Sequence, residues 1–248
     1  MARAVERALR LLMAIAEPAN EESSGLRHLA AAADVDKATA LRLLRTLQAT
    51  RMVEQRADGS YALGSSTLRL ARAAFARAGI VGRAIPIMHE LAEATTETIS
   101  LGERHGDANV TIYEVESRHA VRYANTIGAS APLHLGAGGR ATLAFSEPEF
   151  QERILASSLE RRTDNSITAA DALRAALAET RARGYAMSWG ERTPSTYSVA
   201  APILDASGKA TASISILWPS RGEAIDRERL ATWPVLLLAA TQRLNGDR

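Results

Sequence analysis

With 248 residues, 46% of them hydrophobic, the chain is long enough for one or two domains, each with its own core. It contains no cysteine, which excludes disulfides and thiolate metal sites, and no apolar run of about 18 residues, the length a membrane-spanning helix needs. The net charge is only +2, but residues 1–80 hold 12 Lys/Arg against 8 Asp/Glu, so the positive excess sits in the first third. That bias favours a polyanionic partner there. The first residues carry charges into an amphipathic pattern rather than the apolar run of a secretion signal, so a cytoplasmic protein is expected.

In chain order, Val5, Ala8, Leu12 and Ile15 recur at helical spacing. Glu17-Pro18 closes that helix, and Ser23-Ser24-Gly25 caps a short second one over 26–32. Ala33-Asp34-Val35 makes a tight turn. Asp34 or Asp36 then caps a third helix that reaches about residue 50. Extended runs over 52–56 and 60–63 flank Ala57-Asp58-Gly59, and Asp-Gly between such runs signals a hairpin. Three helices followed by a hairpin make a winged helix-turn-helix.

Gly64-Ser65-Ser66 caps a further helix over 67–78, with an apolar strip at Leu68, Ala71 and Phe75 that one small domain cannot cover, so a second copy of the chain is expected on it. Beyond it, helix and strand patterns mix. A helix carries Ile85, Met88 and Leu91. Strands are predicted over 98–101, 110–115, 120–125, 185–189, 198–203 and 210–217, and helices over 140–145, 149–157, 169–183 and 223–244. This order suggests an α+β domain with an antiparallel sheet. The division is residues 1–64, a linker helix over 65–80, and 81–248.

The third helix has two unlike faces. At 100° per residue, Ala40, Leu43, Leu44 and Leu47 fall on one side, and Ala38, Arg42, Arg45 and Ala49 on the other. Small residues let a helix backbone approach a DNA groove, while arginines reach phosphates or guanine edges. Lys37 and Thr39 lie at the N-terminal end, which such helices point at the bases. Arg56, beside the hairpin tip, stands where a wing touches DNA. A solvated surface face is the bland alternative for these residues.

At this point the sequence resembles the IclR family of bacterial transcriptional regulators. "VERALRLLMAIA" is similar to the family's first helix, "LRHLAAAADVDKATALRLLRTLQATRMV" to its helix-turn-helix, and "DGSYALGSSTLRLA" to its wing and linker entry. "ETISLGERHG", "NTIGASAPLHLGAGGRATLAF", "ITAADALRAALAETRARGYA" and "SVAAPILDASGKATASISI" follow in the family's order. The resemblance implies a winged helix-turn-helix, a linker helix and a GAF-like effector-binding domain. It also implies a homodimer or homotetramer on a palindromic double-stranded DNA operator, and a small organic acid or aromatic metabolite as effector, with no cofactor. The chain departs from the family's usual residues at Ala38, Leu41 and Arg140.

The stretch "HLGAGGR" places three glycines before a helix. Such backbone N–H groups suit a carboxylate; a tight connection that needs glycine is the alternative. By resemblance, Ala137 and Gly138 face the effector, Tyr123 and Leu133 supply apolar wall, and Ser188, Ser198 and Ser215 line the pocket. Arg122 and Arg140 are candidate counter-charges. Two other readings remain: a winged helix that binds RNA or protein, and an enzyme using a metal near His105, Asp107, Glu114, His119 and His134. Residues 36–56 hold no stacking aromatic, which single-stranded RNA recognition wants, and the histidine spacing matches no metal motif.

Overall fold

The computed structural model describes residues 3–16, 25–77, 79–220 and 227–245. They belong to two compact units, Met1–Gly79 and Ile80–Arg248. The first unit comprises α1 (Arg3–Ala16), α2 (Leu26–Ala32), α3 (Lys37–Ala49), a hairpin of β1 (Val53–Gln55) and β2 (Tyr61–Leu63), and α4 (Ser65–Arg77). Its core includes Leu11, Ile15, Leu29, Ala40, Leu44, Leu47, Val53 and Tyr61, so α1, α2, α3 and both strands contribute. Full burial of a side chain such as Leu44 stabilises by about 1.5–3 kcal/mol. Val5 is not part of this core. It is 59% exposed, and with Leu9 and Met13 it forms an outward apolar line, because the inward face of α1 runs through Ala8, Leu11, Leu12 and Ile15.

Local chemistry sets the helix-turn-helix. Asp34 adopts a left-handed φ of 53°, and Val35 N donates to Ala30 O, which closes α2 tightly. Asp36, rather than Asp34, caps α3: its carboxylate accepts from Thr39 N at 2.8 Å and from Thr39 Oγ1 at 2.7 Å. Gly25 is the N-cap of α2 and offers no side-chain bond; the expected caps Ser23 and Ser24, and the break at Glu17-Pro18, lie outside the described residues. After β2, Gly64 is required sterically, since a Cβ there would come within 2.3 Å of Arg51 O.

The second unit contains α5 (Ile80–Thr95), β3 (Thr98–His105), β4 (Ala108–Val115), β5 (Ser130–Pro132), α6 (Ala137–Ala144), α7 (Pro148–Leu155), α8 (Ala170–Arg183), β6 (Ala186–Trp189), β7 (Thr196–Leu204), β8 (Ala210–Pro219) and α9 (Arg227–Asn245). The strands form one antiparallel sheet in the order β5-β4-β3-β8-β7-β6. Strand alternation sorts its two faces. Ile99, Leu101, Val199, Ile214 and Ile216 are fully buried on one face. Trp218, on that face, meets Trp233 of α9 at 4.8 Å between ring centroids. Ser100, Ser188, Ser198, Ser213 and Ser215 alternate with them on the other face, where α6 packs Ala137 and Ala141 against Ala186 and Ala200.

Two predicted elements change. Residues 120–125 are not a strand, and the edge of the sheet is β5, with Ala108 opposite Pro132. The segment's backbone groups are held by side chains instead of a ladder: Thr98 Oγ1 donates to Tyr123 O, and Asn125 N donates to Glu114. The helix expected over 140–145 begins three residues earlier, at Ala137, because Gly136 takes a left-handed φ of 84° as its N-cap. Of the predicted closing helix, residues 223–226 lie outside the described residues, and α9 continues through Pro234.

Candidate functional site

One candidate surface is the outward face of α3. Lys37, Ala38, Arg42 and Arg45 are exposed, opposite buried Ala40, Leu44 and Leu47. Among the described residues, none of the three cations has an ion-pair partner. Thr39 is half-buried and its hydroxyl proton goes to Asp36, so it builds the cap and leaves only its oxygen lone pairs to a partner. Hydrogen bonds from the Thr39 backbone and hydroxyl hold the Asp36 carboxyl below its usual range. The α3 N-terminus thus keeps one fixed negative cap beside Lys37, and Arg42 and Arg45 follow farther along the helix. Arg56 is exposed at the wing, where Arg56 N donates to Ser60 O. The nearby Asp58 carboxylate is engaged by Ser60 Oγ and Ser60 N.

The second candidate is a cavity between the serine face of the sheet and the N-terminus of α6, with a volume of about 50 Å³. Tyr123, Ala137, Gly138, Ser188, Ser198 and Ser215 all line it. Leu133 does not: it is fully buried among Leu143, Ile154, Leu155, Leu173 and Leu177, in the core beneath α6, α7 and α8. The cavity also takes in residues that sequence reasoning passed over, chiefly Ser100, Asn109, Thr111, Asn125 and Arg192. The alternation "TISLG" to "SISI" carried a signal for Ser100. Asn109, Asn125 and Arg192 come from separate loops and strands, and nothing in their spacing announces a common site.

The glycines at the start of α6 each have a steric reason. Gly136 needs its left-handed turn. A Cβ at Gly138 would lie 2.9 Å from Ser215 Oγ, and one at Gly139 would lie 2.5 Å from Leu133 O. The first helical N–H groups, of Ala137, Gly138 and Gly139, precede the first bond of the helix, Arg140 N to Gly136 O. These donors and the dipole of α6 favour negative charge at the cavity.

The expected counter-charges are both taken. Arg140 is buried, pairs with Glu191 and donates to Met187 O; Glu191 also accepts from Gly136 N. Arg122 pairs at the surface with Glu116. Arg192 is the lining cation that, among the described residues, has no hydrogen bond or ion pair. Glu114 stands behind Asn125, accepting from both its N and its Nδ2 at 2.8 Å. Burial pushes the Glu114 carboxyl up, against the pull of those hydrogen bonds.

The histidines and acids that could have gathered around a metal are dispersed. His105 meets Glu103, Asp107 meets Arg153, His119 meets Thr96, and His134 bonds to Glu160 O. Among the described residues, no three metal-ligating side chains cluster, and no helix is long and apolar enough to cross a membrane.

The IclR helix-turn-helix domain matches residues 4–57, and the domain described as bacterial transcriptional regulator IclR C-terminal matches residues 72–243. The chain belongs to the IclR family of transcriptional regulators. It is 37% identical to the HTH-type transcriptional regulator BhcR of Paracoccus denitrificans, over 88% of this chain and 78% of that one. The fold matches the crystal structure of Thermotoga maritima IclR with a TM-score of 0.82, at 22% identity and 98% coverage of both chains. It also matches an IclR homologue from Microbacterium hydrocarbonoxydans complexed with 4-hydroxybenzoate, with a TM-score of 0.78, at 21% identity, covering 98% of this chain and 97% of that one. The chain is therefore a ligand-responsive, DNA-binding regulator, with an N-terminal helix-turn-helix domain and a C-terminal IclR effector domain.

Proposed function

We propose that this IclR-family regulator acts in the cytoplasm as a homodimer or a dimer of dimers on a palindromic duplex operator, and that a small carboxylate in the cavity controls its affinity. In this reading Lys37, Ala38, Arg42 and Arg45 enter the major groove, Arg56 touches the backbone from the wing, and no residue has a catalytic role. The observation that carries it is the set of exposed, unpaired cations on α3, directly opposite its buried leucines. Self-association is supported by uncovered apolar surface on the first unit. Leu68 and Leu70 on α4 are 72% and 59% exposed, and Val5, Leu9 and Met13 line α1 at i, i+4 and i+8. The Phe75 side chain, the third member of the expected strip, lies outside the described residues.

A small acid is favoured over an aromatic one by size and polarity. One bound water needs about 10–15 Å³ of such space, so a cavity of about 50 Å³ suits a few heavy atoms and not a ring. Hydroxyls of Ser100, Thr111, Ser188, Ser198 and Ser215, with the N–H groups of α6 and Arg192, supply donors for a carboxylate.

The test starts from duplexes selected out of a random library by the full-length protein. The expected site is two-fold symmetric, with half-sites one helical turn or a multiple apart, bound by a species of dimeric mass or larger in light scattering. Carboxylates of two to four carbons are then titrated into the complex and should shift its affinity. A monomer at micromolar concentration, or RNA bound as tightly as duplex DNA, would refute the proposal.

A further inference from the structure

We propose that Asn109 and Asn125 make the cavity selective for a small hydroxy acid over the same acid lacking its hydroxyl. This rests on the reading above, that the cavity holds a carboxylate.

Both side chains line the cavity, and the amide oxygen of each has less than 1 Å² exposed and no hydrogen-bond partner. Buried polar atoms in folded proteins are nearly always paired, and an unpaired one marks a place where a donor is missing. Trp218 Nε1 is the other such atom among the described residues, and it lies on the opposite face of the sheet.

The two amides are placed by different devices. Asn125 is pinned from behind: its N and Nδ2 each donate to Glu114 at 2.8 Å. With the nitrogen end committed to a carboxylate, the other end of the amide is an acceptor. Asn109 instead lies flat against Gly102. A Cβ at Gly102 would stand 2.5 Å from Asn109 Nδ2 and 2.6 Å from Oδ1, while one at Gly138 would stand 3.4 Å from Nδ2. Glycines on β3 and α6 thus leave the space this amide fills. Its nitrogen has no partner among the described residues, so the group turns about its terminal bond without breaking a hydrogen bond.

The residues around the cavity therefore carry two kinds of polar group. Serine and threonine hydroxyls, the α6 N–H groups and Arg192 donate, and these suit carboxylate oxygens. The Asn125 amide oxygen, its nitrogen end held by Glu114, only accepts, and a carboxylate oxygen brought against it is repelled. A plain acid leaves it unpaired; an acid with a hydroxyl brings the missing donor, and Asn109 turns its own oxygen to the same group. A site built around such an acceptor rejects the analogue that lacks the hydroxyl far more strongly than its lost contact area would suggest.

The experiment is calorimetric titration of the full-length protein with matched pairs: glycolate against acetate, lactate against propionate, and 3-hydroxybutyrate against butyrate. The expected result is at least one pair in which the hydroxy acid binds about tenfold or more tightly. In Asn125→Ala that preference should fall to about threefold or less. Gly102→Ala, which displaces the Asn109 amide, should reduce the preference in the same way and covers the case in which Asn125→Ala fails to fold. Equal affinity within every pair would overturn this inference and leave the carboxylate reading standing, as would a preference that survives both variants. Failure of all six acids to bind folded, DNA-binding protein would overturn the carboxylate reading, and this inference with it.

Discussion

The helices α3 and α6 are both short, rich in small residues and marked by arginine, yet they treat that arginine oppositely. On α3, Arg42 and Arg45 stand in solvent with no ion pair among the described residues. On α6, Arg140 is buried at 3% exposure, with Glu191 and a backbone carbonyl as partners. A guanidinium left unpaired at the surface costs little and remains available to a polyanion. A buried one must be neutralised within the fold, and so becomes architecture. The same contrast separates the small residues: on α3 Ala38 and Ala49 are exposed, whereas on α6 the glycines and alanines let a helix lie against the serine face of a sheet.

The contrast breaks first at the buried pair. Arg140→Met leaves the Glu191 carboxylate buried without its partner, which should destabilise the second unit by about 3–5 kcal/mol. All three tryptophans, Trp189, Trp218 and Trp233, lie in that unit, so urea denaturation followed by tryptophan emission reads it alone. A loss below about 1 kcal/mol would mean that the pair does not hold α6 to the loop after β6. Next in size is Leu44→Ala. Leu44 is fully buried between the helices of the first unit, and its truncation should cost about 2–5 kcal/mol there. DNA binding should be lost while the tryptophan-detected transition stays in place; a matching shift of that transition would show that the two units unfold together.

Smaller effects test the two sites more finely. Asp36→Ala removes the cap of α3 and should weaken DNA binding without unfolding the unit. Because hydrogen bonds from Thr39 lower the Asp36 carboxyl, the cap's contribution is complete above the ordinary value of 3.8 and is lost only as pH falls through the lowered one. DNA affinity in Asp36→Ala that matches wild type at neutral pH would contradict this role. Glu114 has the opposite sign. Burial raises its carboxyl above 4.5, so the folded state holds that proton more tightly, and stability falls as pH rises from 4.5 through the raised value. Thermal melts of Glu114→Gln should therefore gain on wild type as pH rises from 4.5 through the raised value. A constant difference would place Glu114 in water.

Much of the first unit was legible because local rules act over few residues. The turn at Asp34, the cap before Thr39, the leucine face of α3 and the Asp-Gly hairpin each rest on neighbours within about one turn. Val5 misled because its helical spacing continues the stripe although its own face turns outward. In the second unit, serine–isoleucine alternation carried the sheet, whereas residues 120–125 have strand-like composition but give their backbone bonds to Thr98 and Glu114, more than ten residues away in sequence. The cavity was legible where it follows the glycine loop and the serine face. It was not legible at Asn109, Asn125 or Arg192, which only the assembled sheet and the loop after β6 bring together, and Leu133 was placed one layer too high.

The central claim is that the exposed face of α3 meets DNA, and Arg42 stands in the middle of it. Wild type and Arg42→Ala are titrated on a selected operator and on its scrambled duplex at several salt concentrations, with the fold of both proteins checked. If Arg42 contacts a base, the variant should lose about 1–3 kcal/mol on the operator and relax its preference at symmetric positions of the two half-sites. If it contacts phosphate alone, affinity should fall on both duplexes and the salt dependence should shrink by about one unit. Unchanged binding on both duplexes by a folded Arg42→Ala protein would contradict the claim.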